Sequence, residues 1–444
     1  MYQKILIANR GEIAVRIIRA CRNLGIQSIA VYSKEDQNAL HTQLADEKVC
    51  IGKCSTKNSY LNMDRIISAA IITGADAIHP GYGFLSENSE FARKCILFGI
   101  DFIGPSPELI DRMGNKSEAR KTMMQARIPV VPGSKESVYD AKEALKIAIG
   151  IGFPVMIKAS SGGGGKGMRV SESEDDFIQQ FTTAQKESVN AFADDTMYIE
   201  KYVKNPRHVE VQLIADKMGN VVTLGERDCS VQRNHQKMIE ESPSPAINDQ
   251  TRKKMYEMTV LAAKTVGYFS AGTIEFIVSE SGEFYFMEMN TRIQVEHPVT
   301  EMVTGIDLVE TQIEIAQEKE LPFTQEDIHI QGHAIECRIN AEIPEQNFRP
   351  SPGLIEHIHF PGGNGVRIET AVYDGFIVPS EYDSMLAKII VHGKDRERAI
   401  KRMRTALNEI VVMGIPTNTD FLFQIFENKT FCEGKADTGF IAKL

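Results

Sequence analysis

The sequence predicts an α/β protein with some α+β character (a mixed fold class), and three observations support this. Residues 4–31 have the pattern of a short buried strand, a helix and a second strand, which is typical of a parallel sheet. A glycine-rich turn separates two apolar strands around residues 154–170, and residues 274–290 have the pattern of a hairpin. Strand–helix–strand units and hairpins are therefore both expected in the chain.

The first domain begins with the predicted strand KILIA. Apolar residues then recur at helical spacing from Ile13 to Leu24, and Gly25 ends that helix. The next strand, IQSIAV, completes a unit typical of a Rossmann-like sheet. Of the three glycines of a dinucleotide-binding turn only Gly11 is present, so we interpret this domain as a scaffold and substrate wall. Its loop HPGYGFLSEN, which includes Tyr82, follows an apolar strand and should line a ligand cleft.

Changes in sequence character divide the chain into three predicted domains. The N-terminal domain covers residues 1–114, the central domain covers 115–330 with a compact lid at about 131–203, and the C-terminal domain covers 331–444. In the C-terminal domain, the predicted buried face of a helix consists of Ala399, Ile400, Met403, Ala406, Leu407 and Ile410. The basic residues expected on its solvated face are Arg396, Arg398, Lys401, Arg402 and Arg404.

Composition and charge are those of an ordinary globular chain, and they argue against some functions. Of 444 residues, 42% are hydrophobic and 25% are charged, and the net charge of −10 argues against a nucleic-acid partner. No apolar stretch is long enough to span a membrane, and the N-terminus shows no cleavage pattern. The seven cysteines lack a zinc or redox spacing. We therefore predict a cytoplasmic protein with reduced thiols and no membrane partner.

The acidic hairpin IEFIVSESGEFYFMEMN predicts a metal site. If its turn is Ser281–Gly282, Glu275 lies directly opposite Glu288, where like charges destabilise a sheet unless a cation separates them. Asn290 is two residues beyond Glu288 and therefore shares its face. Two carboxylates and an amide oxygen suit Mg²⁺. The alternative is a surface hairpin with solvated acids, which the large apolar residues around the glutamates disfavour.

A glycine run after the strand PVMIKA suggests phosphate binding. Lys158 lies near the end of that strand, and the N–H groups of Gly162–Gly165 can approach a phosphate because no Cβ is in the way. A Walker A loop is excluded, because Ser160 replaces its first glycine and Gly167 follows Lys166 where Ser or Thr is needed. A glycine-rich loop between strands is instead typical of a flap over a triphosphate. A flexible hairpin tip is the alternative.

Two further stretches add polar residues. In EKYVKNPRHVEVQLIAD, one face of a strand carries His208, Glu210 and Gln212, a pattern that a half-solvated strand also explains. The segment GERDCSVQRNHQKMIEE is densely cationic, although a lone histidine such as His235 is usually structural. Together with Lys116, the lysine before the glycine run, the flap and the metal hairpin, these features predict a phosphoryl-transfer site. There, a metal ion and lysines neutralise a triphosphate.

These segments resemble the biotin carboxylases of the ATP-grasp superfamily along essentially the whole chain. The matching motifs are KILIANRGEIAVRIIRA, HPGYGFLSEN, MGNKSEAR, KASSGGGGKGMR, GERDCSVQRNHQK, FMEMNTRIQVEHPVTE and YDSMLAKII. Within the family, the chain is most similar to the free-standing subunit of a bacterial-type acetyl-CoA carboxylase. The resemblance implies a Rossmann-like N-terminal domain, a central ATP-grasp domain with a mobile glycine-rich lid, and a biotin-carboxylase-type C-terminal domain.

The resemblance also implies a role for individual residues at the matching motif positions. ATP would be bound by Lys116, Lys158, Gly163, Gly164, Gly165, Glu200, Lys201, Tyr202, Val203, His208, Gln232, His235, Glu275 and Glu288. Mg²⁺ or Mn²⁺, with two ions expected, would be held by Glu275, Glu288 and Asn290. Bicarbonate and biotin would contact Lys237, Arg292, Gln294, Val295, Arg338 and Tyr82, with Gln232 also near the ureido ring. The catalytic residues would be Lys237, Arg292, Glu296 as the base, and Arg338 beside the biotin enolate.

The implied reaction is the ATP-dependent carboxylation of biotin by bicarbonate through carboxyphosphate, the first half-reaction of acetyl-CoA carboxylase in fatty acid synthesis. The sequence has no AMKM-type biotinylation motif, so biotin is expected on a separate carrier protein. Carboxyltransferase subunits and a homodimer are further expectations. The alternatives are a fragment of a multidomain carboxylase, another ATP-grasp ligase, which RIQVEH and Arg338 disfavour, and a nucleotide-binding regulatory protein without turnover.

Overall fold

A computed structural model of the chain describes residues 1–53, 55–134, 136–159, 168–192 and 195–444. These residues form two compact units. The first comprises Met1–Ile128, Arg207–Phe276 and Glu288–Leu444, and the second comprises Pro129–Pro206 and Ile277–Met287. Within the described ranges, no helix is both long enough and apolar enough to cross a membrane.

The N-terminal part of the first unit is a parallel five-stranded sheet with helices between its strands. Its elements are β1 (Lys4–Ile7), α1 (Gly11–Asn23), β2 (Gln27–Ser33), α2 (Leu40–Leu44), β3 (Glu47–Gly52), α3 (Met63–Thr73), β4 (Ala77–His79), α4 (Ser89–Leu97), β5 (Asp101–Phe102), α5 (Pro107–Gly114) and α6 (Lys116–Gln125). The strand order is β3-β2-β1-β4-β5. Ile13 and Ile17 of α1 share a core with Ile5 and Ile7 of β1. The predicted strand, helix and strand at residues 4–31 are therefore confirmed, and the loop with Tyr82 follows β4.

The second unit contains a three-stranded antiparallel sheet with two helices against it. Its elements are α7 (Ala141–Ile151), β6 (Val155–Ala159), β7 (Met168–Ser171), α8 (Glu174–Phe192) and β8 (Met197–Lys201). The strand order is β7-β6-β8, and Val155 and Ile157 of β6 are fully buried against Phe177 and Phe181 of α8. The predicted strands around residues 154–170 correspond to β6 and β7. The glycine run Gly162–Gly167 lies outside the described residues.

An eight-stranded sheet joins the central and C-terminal parts of the chain. The central elements are β9 (Arg207–Ala215), β10 (Val221–Arg233), β11 (Gln236–Ser242), α9 (Asp249–Val266), β12 (Ser270–Val278), β13 (Phe284–Asn290), α10 (His297–Thr304) and α11 (Leu308–Ala316). The C-terminal elements are β14 (His333–Asn340), β15 (Glu342–Ile343), β16 (Arg349–Pro350), β17 (Gly353–Leu354), β18 (His357–His359), β19 (Val366–Thr370), β20 (Ile377–Val378), β21 (Met385–Gly393), α12 (Arg396–Glu409), β22 (Val411–Met413), α13 (Thr419–Glu427) and α14 (Lys429–Cys432).

The strand order of this sheet is β13-β12-β9-β10-β11-β14-β21-β19. Because β14 pairs with β11 in an antiparallel register, the C-terminal strands β14, β21 and β19 continue the central sheet, and the other C-terminal strands form two-stranded sheets. This pairing places Glu240 of β11 directly opposite Glu336 of β14, two residues before Arg338. Arg338, which belongs to the C-terminal part of the chain, therefore lies near Glu240 and the other polar residues of the central strands.

The helix α12 confirms the predicted buried face but corrects the prediction for its basic face. Its apolar residues are buried as expected, in one core with β14 and β21. The side chain of Arg396, however, is only 18% exposed, and it donates to both carboxylate oxygens of Glu241 and to the carbonyls of Phe431 and Cys432. Arg402 donates to the carbonyl of His392. These two arginines are therefore bound within the fold instead of being solvated.

The buried carboxylate of Glu241 gives a prediction about stability. Burial alone would raise the pKa of Glu241, but a hydrogen bond from His333 and the charge of Arg396 lower it to about 2. A lowered pKa contributes stability above the unfolded-state value of about 4.3, and this stability is lost as pH falls towards the folded-state pKa. We expect Glu241→Gln to lower the free energy of unfolding at pH 7 by about 3 kcal/mol.

Thermal unfolding of the wild type and of Glu241→Gln between pH 3 and pH 8 measures this effect. The difference between their melting temperatures should be constant from pH 8 to about pH 5 and should shrink below about pH 4.3. Glu397→Gln is the matched control, because Glu397 pairs with Lys401 on the exposed side of α12. A difference that stayed the same down to pH 3 would contradict the assignment of the lowered pKa to Glu241.

Candidate active site

The polar face of β9 is buried, and it forms one side of the candidate site. Glu210 and Gln212 are fully buried and His208 is 7% exposed. The explanation of this face as a half-solvated strand is therefore wrong. Buried charges require partners, and Arg227 of the neighbouring β10 donates to Glu210 Oε1 over 2.6 Å and to Gln212 Oε1 over 2.7 Å.

Lys237 of β11 lies at the centre of three glutamates. Its Nζ is 2.6 Å from Glu210 Oε2, 2.6 Å from Glu296 Oε1 and 3.1 Å from Glu275 Oε1. Burial alone would lower the pKa of Lys237, but the acidic groups around it raise that pKa well above its usual value. An ammonium group has three protons to donate, so each glutamate can accept one of them. The site thus holds a permanent positive charge among carboxylates.

Glu296 lies between two cations at the start of α10. Its Oε1 accepts from Lys237, and its Oε2 is 2.8 Å from Nη2 of Arg338, which also donates from Nε to Glu240 over 2.7 Å. Burial alone would raise the pKa of Glu296, but Lys237, Arg338 and Arg227 lower it well below its usual value. Glu296 is therefore ionised at neutral pH, with both of its carboxylate oxygens hydrogen-bonded to cations.

Arg292 connects the residues between β13 and α10. Its Nη1 donates to Gln294 Oε1 over 3.0 Å, its Nη2 to Asn290 Oδ1 over 3.1 Å, and its Nε to Glu87 Oε2 over 2.8 Å. Gln294 and Asn290 in turn donate to Glu275 Oε1, over 3.2 Å and 2.9 Å. The predicted anion-binding residues and two of the predicted metal ligands therefore form one hydrogen-bonded cluster.

The hairpin turn differs from the prediction. Ser279 N donates to Glu283 O over 2.8 Å, and Gly282 N donates to Ser279 O over 3.0 Å, so the loop has three residues instead of two. The direct opposition of Glu275 and Glu288 was counted from a two-residue loop and therefore does not hold. Glu275 is buried beside Asn290, whereas Glu288 is half-exposed and lies 3.3 Å from Nζ of Lys116.

The donors at this hairpin nevertheless fit a magnesium ion. Glu275 is ionised: burial opposes this, but Lys237 and His208 lower its pKa well below the usual value. Glu288 adds a second carboxylate on the same strand as Asn290, whose amide oxygen now accepts from an arginine. Hard oxygen donors of this kind suit Mg²⁺, which takes its other ligands from water and phosphates.

The second unit contains five more of the predicted ATP residues, Lys158, Glu200, Lys201, Tyr202 and Val203. Lys158 of β6 and Glu200 of β8 form an ion pair on this sheet. The backbone N–H of Lys201 donates to the carbonyl of Pro132 and that of Tyr202 to the carbonyl of Pro154, so these two amides are already satisfied. Val203 follows directly and is half-buried. Gly163, Gly164 and Gly165 lie outside the described residues.

The remaining predicted site residues lie in the first unit, three of them on or between strands β9, β10 and β11 and Tyr82 in the loop after β4. His208 Nε2 is 2.9 Å from Glu275 Oε2, so the structure places this histidine against a predicted metal ligand. Gln232 is buried opposite Lys237 in the pairing of β10 with β11. His235 is exposed in the two-residue turn between these strands, where its φ of +64° matches the geometry of a tight hairpin. Tyr82 donates to the carboxylate of Glu12.

Several residues of the cluster received no role from the sequence. In the sequence, Glu210 is part of a polar strand face and Arg227 is part of a cationic segment. Their ion pair forms only because two separate strands lie side by side, and neither segment alone predicts that pairing. The partners Glu240 of Arg338 and Glu87 of Arg292 lie 98 and 205 positions away from them in the chain. The alternation of polar residues on β9 was the one local signal that could have identified Glu210.

Comparison with known families agrees with this geometry. Residues 1–110 match the family described as biotin carboxylase, N-terminal domain, and residues 336–443 match the biotin carboxylase C-terminal domain. Residues 115–324 match the family described as carbamoyl-phosphate synthase L chain, ATP binding domain. The predicted mixed α/β fold class, with an ATP-grasp region at its centre, is thereby confirmed.

Similar proteins cover the whole chain. It is 54% identical over 442 residues to biotin carboxylase 1 of Bacillus subtilis, with 99% of this chain and 98% of the relative covered. It is 52% identical over 441 residues to a pyruvate carboxylase subunit of Methanothermobacter thermautotrophicus, with 99% and 90% covered. The crystal structure of the Hydrogenobacter thermophilus 2-oxoglutarate carboxylase biotin carboxylase domain dimer, in complex with MgADP, ADP and bicarbonate, matches with a TM-score of 0.90 at 48% identity, covering 100% of this chain and 98% of that chain. The chain therefore belongs to the biotin carboxylase family.

Proposed function

We propose that the protein carboxylates biotin with bicarbonate at the expense of ATP, forming N1′-carboxybiotin, ADP and phosphate. The position of Glu296 carries this proposal, because an ionised carboxylate lies between Lys237 and Arg338 in a buried polar cluster. Such a carboxylate can accept the proton of bicarbonate, and the adjacent cations can hold the resulting anion. Family membership and the relative that binds MgADP and bicarbonate support the same reaction.

The first step would activate bicarbonate, which is a poor carboxyl donor. Its attack on the γ-phosphate of ATP gives carboxyphosphate and ADP. During this attack Glu296 accepts the proton, while Lys237, Arg292 and Gln294 orient the anion. When Mg²⁺ is bound by the hairpin residues described above, it neutralises the phosphates of ATP. Negative charge develops throughout this step, and the cations around Glu296, the proposed base, would stabilise that charge.

The second step would carboxylate biotin. Carboxyphosphate breaks down to CO₂ and phosphate, phosphate takes the N1′ proton, and the biotin enolate attacks CO₂. Burial alone would lower the pKa of Arg338, but Glu240 and Glu296 raise it, so the guanidinium remains charged and can stabilise the enolate. Tyr82 and Gln232 are proposed near the ureido ring, and Val295 is proposed to contact bicarbonate through its backbone.

The ATP contacts and the domain boundaries remain predictions. Lys116, Lys158, the glycine flap and residues 200–203 are assigned to ATP from the sequence resemblance, as are His208 and His235. The boundaries at residues 114 and 330 and the lid at about 131–203 are likewise proposals. A carrier protein that bears biotin, carboxyltransferase subunits, a homodimer and a cytoplasmic location complete the proposed setting.

The acceptor of the carboxyl group has two candidates. The sequence resemblance favours a role in acetyl-CoA carboxylase and fatty acid synthesis, and the Bacillus subtilis relative is named as a biotin carboxylase. The archaeal relative, which is named for pyruvate carboxylase, is almost as similar and supports an enzyme that carboxylates a 2-oxo acid. We favour acetyl-CoA, because the sequence most resembles the bacterial free-standing subunits. Carboxylation of carrier-bound biotin is common to both candidates.

Measuring ADP release with Mg²⁺ and bicarbonate, with and without free biotin, tests the proposed reaction. We expect hydrolysis to require bicarbonate and to rise when biotin is added, with labelled bicarbonate incorporated into biotin. ATP hydrolysis at a rate independent of bicarbonate and biotin would indicate a different ATP-grasp substrate. An absence of hydrolysis would favour a regulatory nucleotide-binding protein. Incubation with a biotinylated carrier domain and then with either acetyl-CoA or pyruvate, each with its carboxyltransferase, separates the two acceptors.

A further inference from the structure

Lys388 of β21 is a buried charged residue to which the proposed reaction assigns no role. It belongs to the motif YDSMLAKII, and its side chain is fully buried. Its Nζ donates to the backbone carbonyl of Val295 over 2.7 Å and lies 3.2 Å from Glu12 Oε1. Burying an ammonium group is costly unless it is paired and hydrogen-bonded, and these two partners, one charged and one neutral, satisfy that requirement.

The carbonyl that Lys388 holds lies in a segment without regular structure. Strand β13 ends at Asn290 and α10 begins at His297, so the backbone between them depends on partners outside a helix or sheet. The carbonyls of Gln294 and Glu296 accept from backbone N–H groups three residues further along the chain. The carbonyl of Val295 instead accepts from a side chain 93 positions away.

The contacts of Lys388 also reach the residue proposed beside biotin. Glu12 Oε1, which lies next to Lys388, accepts the hydroxyl proton of Tyr82. Burial and Glu12 raise the pKa of Tyr82, so its hydroxyl stays protonated and donates. The ammonium group also lies 5.9 Å from the centre of the Tyr82 ring, within the range of a cation–π contact. Tyr82, Glu12, Lys388 and Val295 therefore form one continuous set of contacts.

We infer that Lys388 is a positioning residue for bicarbonate: by fixing the carbonyl of Val295, it orients the peptide between Gln294 and Glu296. This inference rests on the proposed function. Without the ammonium group, the Val295 peptide loses its distant anchor and can rotate. The anion contacts at Gln294 and Val295 and the carboxylate of Glu296 then lose their common alignment. Binding of ATP has no such dependence, because the contacts of Lys388 described above are with residues that have no role in ATP binding.

Lys388→Met tests this inference, because methionine keeps the length and apolar stem of the side chain but removes the donor and the charge. We expect the KM for bicarbonate to rise by about 10-fold to 100-fold, since displacements near 1 Å can cost this much, while the KM for ATP is unchanged. Lys401→Met is the matched control, because Lys401 makes an exposed ion pair with Glu397 on α12. It should leave both constants at the wild-type values.

Loss of Lys388 leaves Glu12 without its cation, so the single variant could fail to fold. The double variant Glu12→Gln, Lys388→Met removes both charges and still leaves Val295 without its donor. It should show the same selective rise in the KM for bicarbonate. An unchanged KM for bicarbonate in either folded variant would overturn the inference, as would equal rises for bicarbonate and ATP. Wild-type protein without bicarbonate-dependent turnover would instead overturn the proposed function, so the two failures are distinguishable.

Discussion

Replacing Glu296 with glutamine is expected to slow bicarbonate-dependent ATP cleavage by about 10²-fold to 10⁴-fold, the usual contribution of a general base. Glutamine has nearly the shape of glutamate, and its amide oxygen can still accept a hydrogen bond from Lys237 or Arg338. It cannot take a proton from bicarbonate. Affinity for ATP should persist, since the contacts of Glu296 are with Lys237, Arg338 and Cys229. Glu296→Ala should give the same loss of turnover.

The measurement compares ADP release with nucleotide affinity in the same protein preparation. Glu226→Gln is a matched control, because Glu226 is also fully buried and pairs with an arginine, Arg252, over 2.8 Å, away from the cluster. It should lower the melting temperature and retain bicarbonate-dependent turnover. If Glu296→Gln folded and turned over at the wild-type rate, Glu296 would not be the base. If ATP affinity fell in step with turnover, its role would be in nucleotide binding.

Local periodicity was sufficient to predict much of the fold. The spacing of apolar residues identified α1 and the buried face of α12, and the alternation along β9 identified its two faces correctly. These features depend only on neighbours three, four or two positions apart in the chain. The resemblance then supplied the fold type of the central and C-terminal domains, which no periodicity reveals.

The parts that could not be predicted depend on contacts between distant segments. Whether the polar face of β9 is solvent-exposed or buried depends on the strands and helices that cover it. The sequence of β9 does not specify those elements. The same limit applies to Arg396, whose acceptor Glu241 lies 155 positions away. The prediction of the hairpin turn was wrong for a different reason. The sequence Ser281–Gly282 is compatible with a two-residue turn, but it is equally compatible with a three-residue loop that has glycine at positive φ. Gly282 has a φ of +84°.

Replacing Arg338 with alanine is expected to slow carboxylation of biotin by about 10²-fold to 10³-fold, the cost of removing one donor from a developing oxyanion. Bicarbonate-dependent ATP cleavage should fall less. Arg338 also contacts Glu296 Oε2 at 2.8 Å, so some loss in the first step follows from a less well-oriented base. The larger loss belongs to the enolate, because the guanidinium is the charged donor proposed to face it. ADP release and labelled carboxybiotin, measured in one reaction mixture, give the two rates.

A double variant distinguishes the effect of losing the Arg338 guanidinium from the effect of leaving the Glu240 carboxylate without its partner. Burial raises the pKa of Glu240 to about 7 even though Arg338 opposes this, so removing Arg338 raises it further and protonates Glu240 at neutral pH. Arg338→Ala with Glu240→Gln fixes that neutral state at every pH. We expect this double variant to lose carboxylation as severely as Arg338→Ala, because the enolate still lacks its donor. Recovered carboxylation would place the defect in Glu240, and equal losses of both rates in Arg338→Ala would place Arg338 in the activation of bicarbonate.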